Sequence, residues 1–411
     1  MTATPGALAN IRVLDLSRVL AGPWASQMLG DLGADIWKVE RPGSGDDTRL
    51  WGPPFLKDPQ GEPTGESAYY LCTNRNKRSL AIDFTQPAGQ ALIKALAQQC
   101  DVLIENFKVG GLKAYGLDAA SLRALNPRLI YCSITGFGQT GPYAHRAGYD
   151  FLIQGMGGLM SVSGRGDGEP GAGPMKVGVA LTDIMTGMYA STAILAALHA
   201  RHATGEGQHI DLALLDVQVA SLVNQGMNYL YSGQLPKRMG NAHPNTVPYQ
   251  DFPTADGHMI LAIGNDSQFA KFCNAAGQPS WAQDERFATN AARVTHRQTL
   301  IPLMCEVTRT RSTQTWVSTL ENLGVPCGPI NTVDQVYQDP QVQARHLKFE
   351  MQHPRAGAIP LIANPIRMSQ TPVQYRHVPP AIGQHTQEVL SQVLGLSADE
   401  LTALTQQGVF G

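Results

Sequence analysis

Apolar and polar positions follow two alternating periods along the chain. Residues 11–16, IRVLDL, form a short β-rich run; residues 21–32 then repeat at helical spacing up to Gly33, and a second β-rich run covers Asp35–Glu40. This is a β-α-β unit. The alternation continues with a helix over 87–100, a strand over 101–105, a helix over Ala119–Leu125 and a strand over 129–134. Strands separated by helices predict a parallel sheet covered on both faces, with ligands held outside the carboxyl ends of its strands, near Ser17, Glu40, Arg41, Asn106 and Thr135.

The longest apolar pattern begins in KVGVALTDIMTGMYA, residues 176–190. From Asp183 onward Ile184, Met185, Met188, Tyr189, Ile194, Leu195 and Leu198 recur at helical spacing, with Gly187, Ala190, Ala193, Ala196 and Ala197 between them. The pattern predicts a closely packed core helix, bounded by Asp183 and Arg201 and too short to read as a membrane span. Asp183 admits two readings, a helix N-cap or a nucleophile. Further on, a Gly turn, a strand over His209–Ala213 and another helix follow. A break at 233–253 then precedes a strand over 258–263 and helices over 268–276, Arg297–Thr308 and 313–323; a last helix falls over Thr386–Leu394. The Gly-, Pro- and charge-rich stretches 41–65 and 163–174 read as long surface loops.

A chain of 411 residues exceeds what one core usually serves, and two domains are expected. A net charge of -2 gives no electrostatic reason to expect a nucleic-acid or anionic-membrane partner. Six scattered cysteines without a C-x-x-C pair, and no signal or transit pattern in the first residues, predict a reduced compartment, the cytoplasm. The histidines show no zinc spacing, so no metal is expected. The turn after the first strand, SRVLAGP, lacks the glycine fingerprint of nicotinamide enzymes; Gly166, Gly168 and Gly171 match it only inside a loop. There is no G-x-S-x-G elbow either.

Basic residues gather at the strand ends: Arg41, then Arg75, Lys77 and Arg78, then Lys108. Such clusters either hold phosphates or form a solvated rim. Asn106 and Phe107 beside them offer an amide and an aromatic face to an adenine or a pantetheine chain.

Together LSRVLAGPWASQMLGDLGADIWKVERPGSGDDTR, NRNKRS, VLIENF, SITGFGQTGP, RAGYDF, GVALTD, GNDSQF and GQHT, in this order, strongly resemble class III CoA-transferases, the formyl-CoA and carnitine-CoA transferase (CaiB/BaiF) family, over residues 11–396. Within it the chain is most similar to succinyl-CoA-dependent dicarboxylate transferases of the glutarate type. The resemblance implies an α/β fold with a large Rossmann-like domain made by both chain ends, here 1–225 and 328–411, a small domain at 226–327, and two subunits interlocked as rings. It implies CoA, as acyl-CoA, for a substrate, with Asp183 as nucleophile. Gly264, Asn265 and Gln268 would lie in a loop stabilising the oxyanion, and Val19, Arg41, Asn74, Lys77, Asn106, Phe107 and Lys108 would hold CoA. An Asp ionised at neutral pH would need no general base. Arg18, Arg41 and Arg75 are available for an acceptor's distal carboxylate. The loop here is GNDSQ instead of a glycine run, and Leu20 and Phe137 stand where the formyl-CoA subgroup has glutamine and tyrosine, which argues against formate or oxalate. An α-methylacyl-CoA racemase is the runner-up, but its GHD motif is Gly148, Tyr149 and Asp150 here; a non-catalytic acyl-CoA-binding protein is the third reading.

Overall fold

The computed structural model describes residues 5–410, which divide into two compact units. The first takes in the chain to Gly157, then Gly178–Val223 and Gln341–Gly411. The second comprises Gly158–Val177 and Asn224–Pro340, so it begins earlier and ends later than the 226–327 expected for a small domain.

The first unit is built on a six-stranded parallel sheet in the order Lys77–Ala81, Asp35–Glu40, Arg12–Asp15, Val102–Glu105, Ile130–Thr135, His209–Ala213. The order reverses between Arg12–Asp15 and Val102–Glu105, which opens a crevice at their carboxyl ends. Neighbouring residues in a strand face opposite layers. Val13, Ile36, Val102 and Ile104 pack under the helices Ala21–Asp31 and Leu181–Thr204, whereas Leu14, Trp37, Leu80 and Leu103 pack under Pro87–Gln98, Ala119–Leu125 and the carboxy-terminal helices Thr386–Leu394 and Ala398–Gln406.

The helix Leu181–Thr204 is long and apolar enough to cross a bilayer, with a mean hydropathy of 1.3, yet Thr186, Gly187, Ala190, Ile194, Ala197 and Leu198 on one side of it are buried in the protein. It is a core helix. It crosses Ala21–Asp31 at Gly187, where a Cβ would stand 2.6 Å from the Ala21 carbonyl oxygen and 2.9 Å from the Trp24 ring. Only glycine permits that approach.

The strand Lys77–Ala81 stands where the sequence suggested a basic loop. Its polar letters are neutralised inside the protein instead of pointing to water: Lys77 Nζ lies 3.2 Å from Asp15 and donates to the Pro23 carbonyl at 2.9 Å, and Ser79 Oγ donates to Glu40 at 2.7 Å. Arg49, within the stretch read as a surface loop, is likewise buried, forked onto Glu40 at 2.8 and 2.7 Å. Two antiparallel hairpins, Phe55–Lys57 with Pro63–Ser67 and Lys348–His353 with Gly357–Ile362, complete this unit.

The second unit holds a three-stranded antiparallel sheet, in the order Cys327–Pro329, His258–Ala262, Tyr249–Pro253. Phe252, Met259 and Leu261 from it pack against Phe269, Phe272, Leu300 and Trp316 of the neighbouring helices.

Candidate active site

The crevice at the sheet's reversal is walled by two loops that hold each other. Asn106 Oδ1 accepts the Arg18 N–H at 2.9 Å, and Asn106 Nδ2 donates to the Arg18 carbonyl at 2.7 Å. Lys38 Nζ donates to the Ser17 carbonyl at 3.0 Å and pairs with Asp46 at 2.8 Å, while Asp46 Oδ1 accepts the Val19 N–H at 3.3 Å. These contacts hold Val19 at φ 72°, a left-handed conformation that a β-branched residue rarely adopts. Val19 and Asn106 thus shape the wall, the Asn106 amide being spent on backbone.

Two clefts meet there, sharing Arg18, Phe107 and Lys108. The wider, about 570 Å³, is lined by Arg41, Asp83, Phe84, Thr85 and Tyr115. Phe84 lies edge-on to Phe107 and to Tyr115, each at 5.7 Å between ring centres, which makes an aromatic wall beside exposed cations. The narrower, about 160 Å³, runs past Leu20, Gly136, Arg146, Gly148 and Tyr149 to Asp183. Arg146 stacks its guanidinium over the Phe137 and Tyr143 rings, 5.1 and 4.7 Å from their centres.

Asp183 sits in the first turn of Leu181–Thr204, but the residue at the N-cap is Ala180, which offers no side chain to the free amides. The capping reading of Asp183 is therefore wrong. Asp150 does that work: its Oδ1 accepts the N–H of Thr182 at 2.8 Å and of Asp183 at 3.3 Å, and its Oδ2 accepts from Gln154 Nε2 at 2.7 Å. The Asp183 carboxyl is half-buried, and burial first, then the Asp150 charge, pushes its pKa up to about 7 from 3.8. The sequence suggested a carboxylate ionised at neutral pH; this environment favours the protonated form more than an exposed aspartate's does.

Other sequence expectations fall elsewhere. Lys77 is fully buried on Asp15, with burial lowering its pKa to about 8, and Asn74 is buried with its Nδ2 donating to the Tyr70 carbonyl at 2.8 Å; neither lines either of the two clefts where the sequence expectation would put CoA. Arg75 is forked onto Asp31 at 2.9 and 2.5 Å, which removes it as a partner for an acceptor. In the second unit Asn265 caps the helix Asp266–Ala275, accepting the Gln268 N–H at 2.9 Å, and the Gly264 N–H is taken by Gln268 Oε1 at 2.9 Å. That amide is not free to meet an oxyanion. Sequence reasoning missed Arg146 and gave Asp150 no role, although both lie in the RAGYDF motif; apolar periodicity carries no sign that a carboxylate thirty-two residues before Thr182 will accept its N–H and cap the helix.

The contrast between cations is testable. Replacing Arg41 by Ala is expected to raise KM for acyl-CoA about tenfold, more at low salt, because a phosphate would lose one charge-assisted contact. Lys77→Met should lower the unfolding midpoint in urea and leave KM nearly unchanged.

A model of CoA-transferase family III matches residues 8–386. A succinate–glutarate CoA-transferase of Agrobacterium fabrum is 53% identical over 94% of this chain and 95% of its own. The human succinyl-CoA:glutarate CoA-transferase is 43% identical over 98% and 89%. A crystal structure of a CaiB/BaiF family protein from Brucella suis superposes with a TM-score of 0.83 at 49% identity, covering 95% of this chain and 100% of that one. With the parallel sheet and its crevice described above, these likenesses show that the chain belongs to CoA-transferase family III and is an enzyme of that type.

Proposed function

We propose that the protein moves CoA from succinyl-CoA to a dicarboxylic acid such as glutarate, with Asp183 as nucleophile. The observation that carries this reading is the Asp183 carboxyl, half-buried where the narrow cleft adjoins an aromatic, cation-rimmed one. The wider cleft suits the nucleotide end of CoA, with Arg41 and Lys108 toward phosphate and Phe84, Phe107 and Tyr115 toward adenine. The thioester then reaches Asp183. An Asp183 oxygen attacks the thioester carbonyl, the C–S bond breaks, and CoA thiolate leaves behind a mixed anhydride. The thiolate attacks the aspartyl carbonyl, freeing the donor acid and forming an aspartyl-CoA thioester. The acceptor carboxylate repeats the sequence in reverse, and the Asp183 carboxylate is regenerated. A raised pKa makes the ionised fraction of Asp183 a more basic nucleophile than an exposed carboxylate.

For the acceptor's distal carboxylate, Arg146 is the cation whose position favours the role. It lines the cleft of Asp183, is ordered by two rings, and forms no ion pair among the described residues, whereas Arg18 is paired with Asp47 at 3.0 Å and Arg41 lines only the wider cleft. Arg146→Gln should raise KM for glutarate about tenfold or more and leave a five-carbon monocarboxylate unaffected. The substrate reading itself is tested by mixing the protein with succinyl-CoA and a panel of acids and following CoA exchange by mass spectrometry. Exchange with dicarboxylates supports it; exchange with monocarboxylates alone rejects it.

The same reading includes a homodimer in a reducing compartment, the cytoplasm. Tyr149 (65% exposed), Phe151, Met188, Tyr189 and Val223 leave apolar surface around the nucleophile helix that a second copy would cover, and all six cysteines are free thiols.

A further inference from the structure

Asp150 is buried, at the start of the helix Asp150–Met156, and it reaches across to a different helix. A buried carboxylate needs partners, and this one takes three: the Thr182 and Asp183 amides on one oxygen and the Gln154 amide on the other. The turn it holds is the turn that carries Asp183. Thr182, the residue between Ala180's turn and the nucleophile, is fixed a second time through its hydroxyl, which donates to Gln218 Oε1 at 2.7 Å. We infer, on the reading of Asp183 as nucleophile, that Asp150 is a positioning residue for the transfer reaction, fixing the first turn of the nucleophile's helix and setting a second negative charge beside the attacking carboxyl.

The two effects on the Asp183 carboxyl act in the same direction. Amides that would otherwise spread positive potential over the helix start are occupied by Asp150, so the usual stabilisation of an anion at a helix N-terminus is largely taken up by Asp150. Its charge also raises the Asp183 pKa, second only to burial. Besides Asp150, the charged or titratable groups around the carboxyl are Arg18, Lys108, Arg146 and Tyr149, which line the cleft, and Tyr69, whose hydroxyl is itself pushed up to about 12 by burial and then by Asp183. None of the three cations cancels the upward shift. A basic, poorly solvated carboxylate held in a fixed turn is the kind of group that attacks a thioester well, and it becomes available as pH rises through about 7.

The test is the pH profile of kcat/KM for Asp150→Asn and Asp150→Ser, both of which keep an acceptor for the Thr182 and Asp183 amides and remove the charge. The inference expects the acid limb of both variants to move down by about one pH unit, with KM for acyl-CoA within twofold of wild type and a lower plateau rate; Asp150→Glu should restore the wild-type limb. A limb that stays in place in both neutral variants overturns it. As a measurement needing no Asp150 variant, the carboxyl titration of Asp183 is read from infrared differences between the wild-type protein and Asp183→Asn, and a midpoint near 4 overturns the inference equally. If Asp183→Asn keeps its turnover, the nucleophile reading has failed and takes the inference with it. If Asp183→Asn is dead while the Asp150 variants are unshifted, only the inference fails.

Discussion

Replacing Asp183 by Asn is expected to lower CoA transfer at least about 10⁴-fold, because the variant has no oxygen nucleophile to form the anhydride and no second route is built into the cleft. The fold should survive the change. The helix start is held by Asp150 and not by Asp183, so the cap is intact in the variant. Stability moves in a direction that follows from linkage. The Asp183 pKa is raised in the folded protein, to about 7 against 3.8, so the unfolded chain loses this proton first and folding stability falls as pH rises from about 4 to about 7. Asp183→Asn lacks that fall. Thermal melts at pH 5 and pH 8 should therefore show the variant at least as stable as wild type at pH 8, with the difference shrinking at pH 5. A variant that is inactive because it is unfolded would contradict both statements together.

The second large effect concerns a residue that the sequence offered as substrate-binding. Arg75→Met is expected to destabilise the protein by about 3–5 kcal/mol, because it strands a buried carboxylate. Asp31 is fully buried; it keeps the amides of Asn76 at 2.8 Å and Asn364 at 2.9 Å but loses its ion pair with Arg75, the one it has among the described residues. Arg75 also donates to the Ile362 carbonyl at 2.9 Å, and the adjoining Asn76 accepts the Arg376 N–H at 2.6 Å. This cluster ties the carboxy-terminal segment to the amino-terminal half of the sheet. Urea unfolding should show the loss as a shifted midpoint, while KM for the acceptor in the folded fraction stays unchanged. A raised acceptor KM with normal stability would return Arg75 to the active site.

What the sequence revealed, and what it hid, divides along a physical line. Helices and strands whose faces are apolar were legible, and their ends agree within one or two residues: Ala119–Leu125, His209–Ala213, Arg297–Thr308 and Thr386–Leu394. The strand Lys77–Ala81 was hidden because its polar groups are matched by partners far away in sequence, Lys77 by Asp15 sixty-two residues before and Ser79 by Glu40 thirty-nine before. Pattern alone treats such letters as solvent-facing. The candidate site shows the same division. Arg41, Phe107, Lys108 and Asp183 come together at the crevice because the parallel sheet, inferred from alternation, puts its carboxyl-end loops on one side, and the strand order, which the sequence did not show, brings these loops together. Lys77, Asn74 and Arg75 share the composition of a phosphate-binding cluster but spend their donors on Asp15, Tyr70 and Asp31. Asp150 was out of reach of periodicity because its contacts join two helices end to end.

The central claim is that Asp183 becomes covalently linked to CoA. The protein is incubated with succinyl-CoA alone, quenched in acid, digested, and the peptide carrying Asp183 weighed. The account predicts a CoA thioester on Asp183, convertible to a hydroxamate by hydroxylamine and missing from Asp183→Asn. An unmodified Asp183 peptide from enzyme that is turning over, or an adduct on another residue, would contradict it.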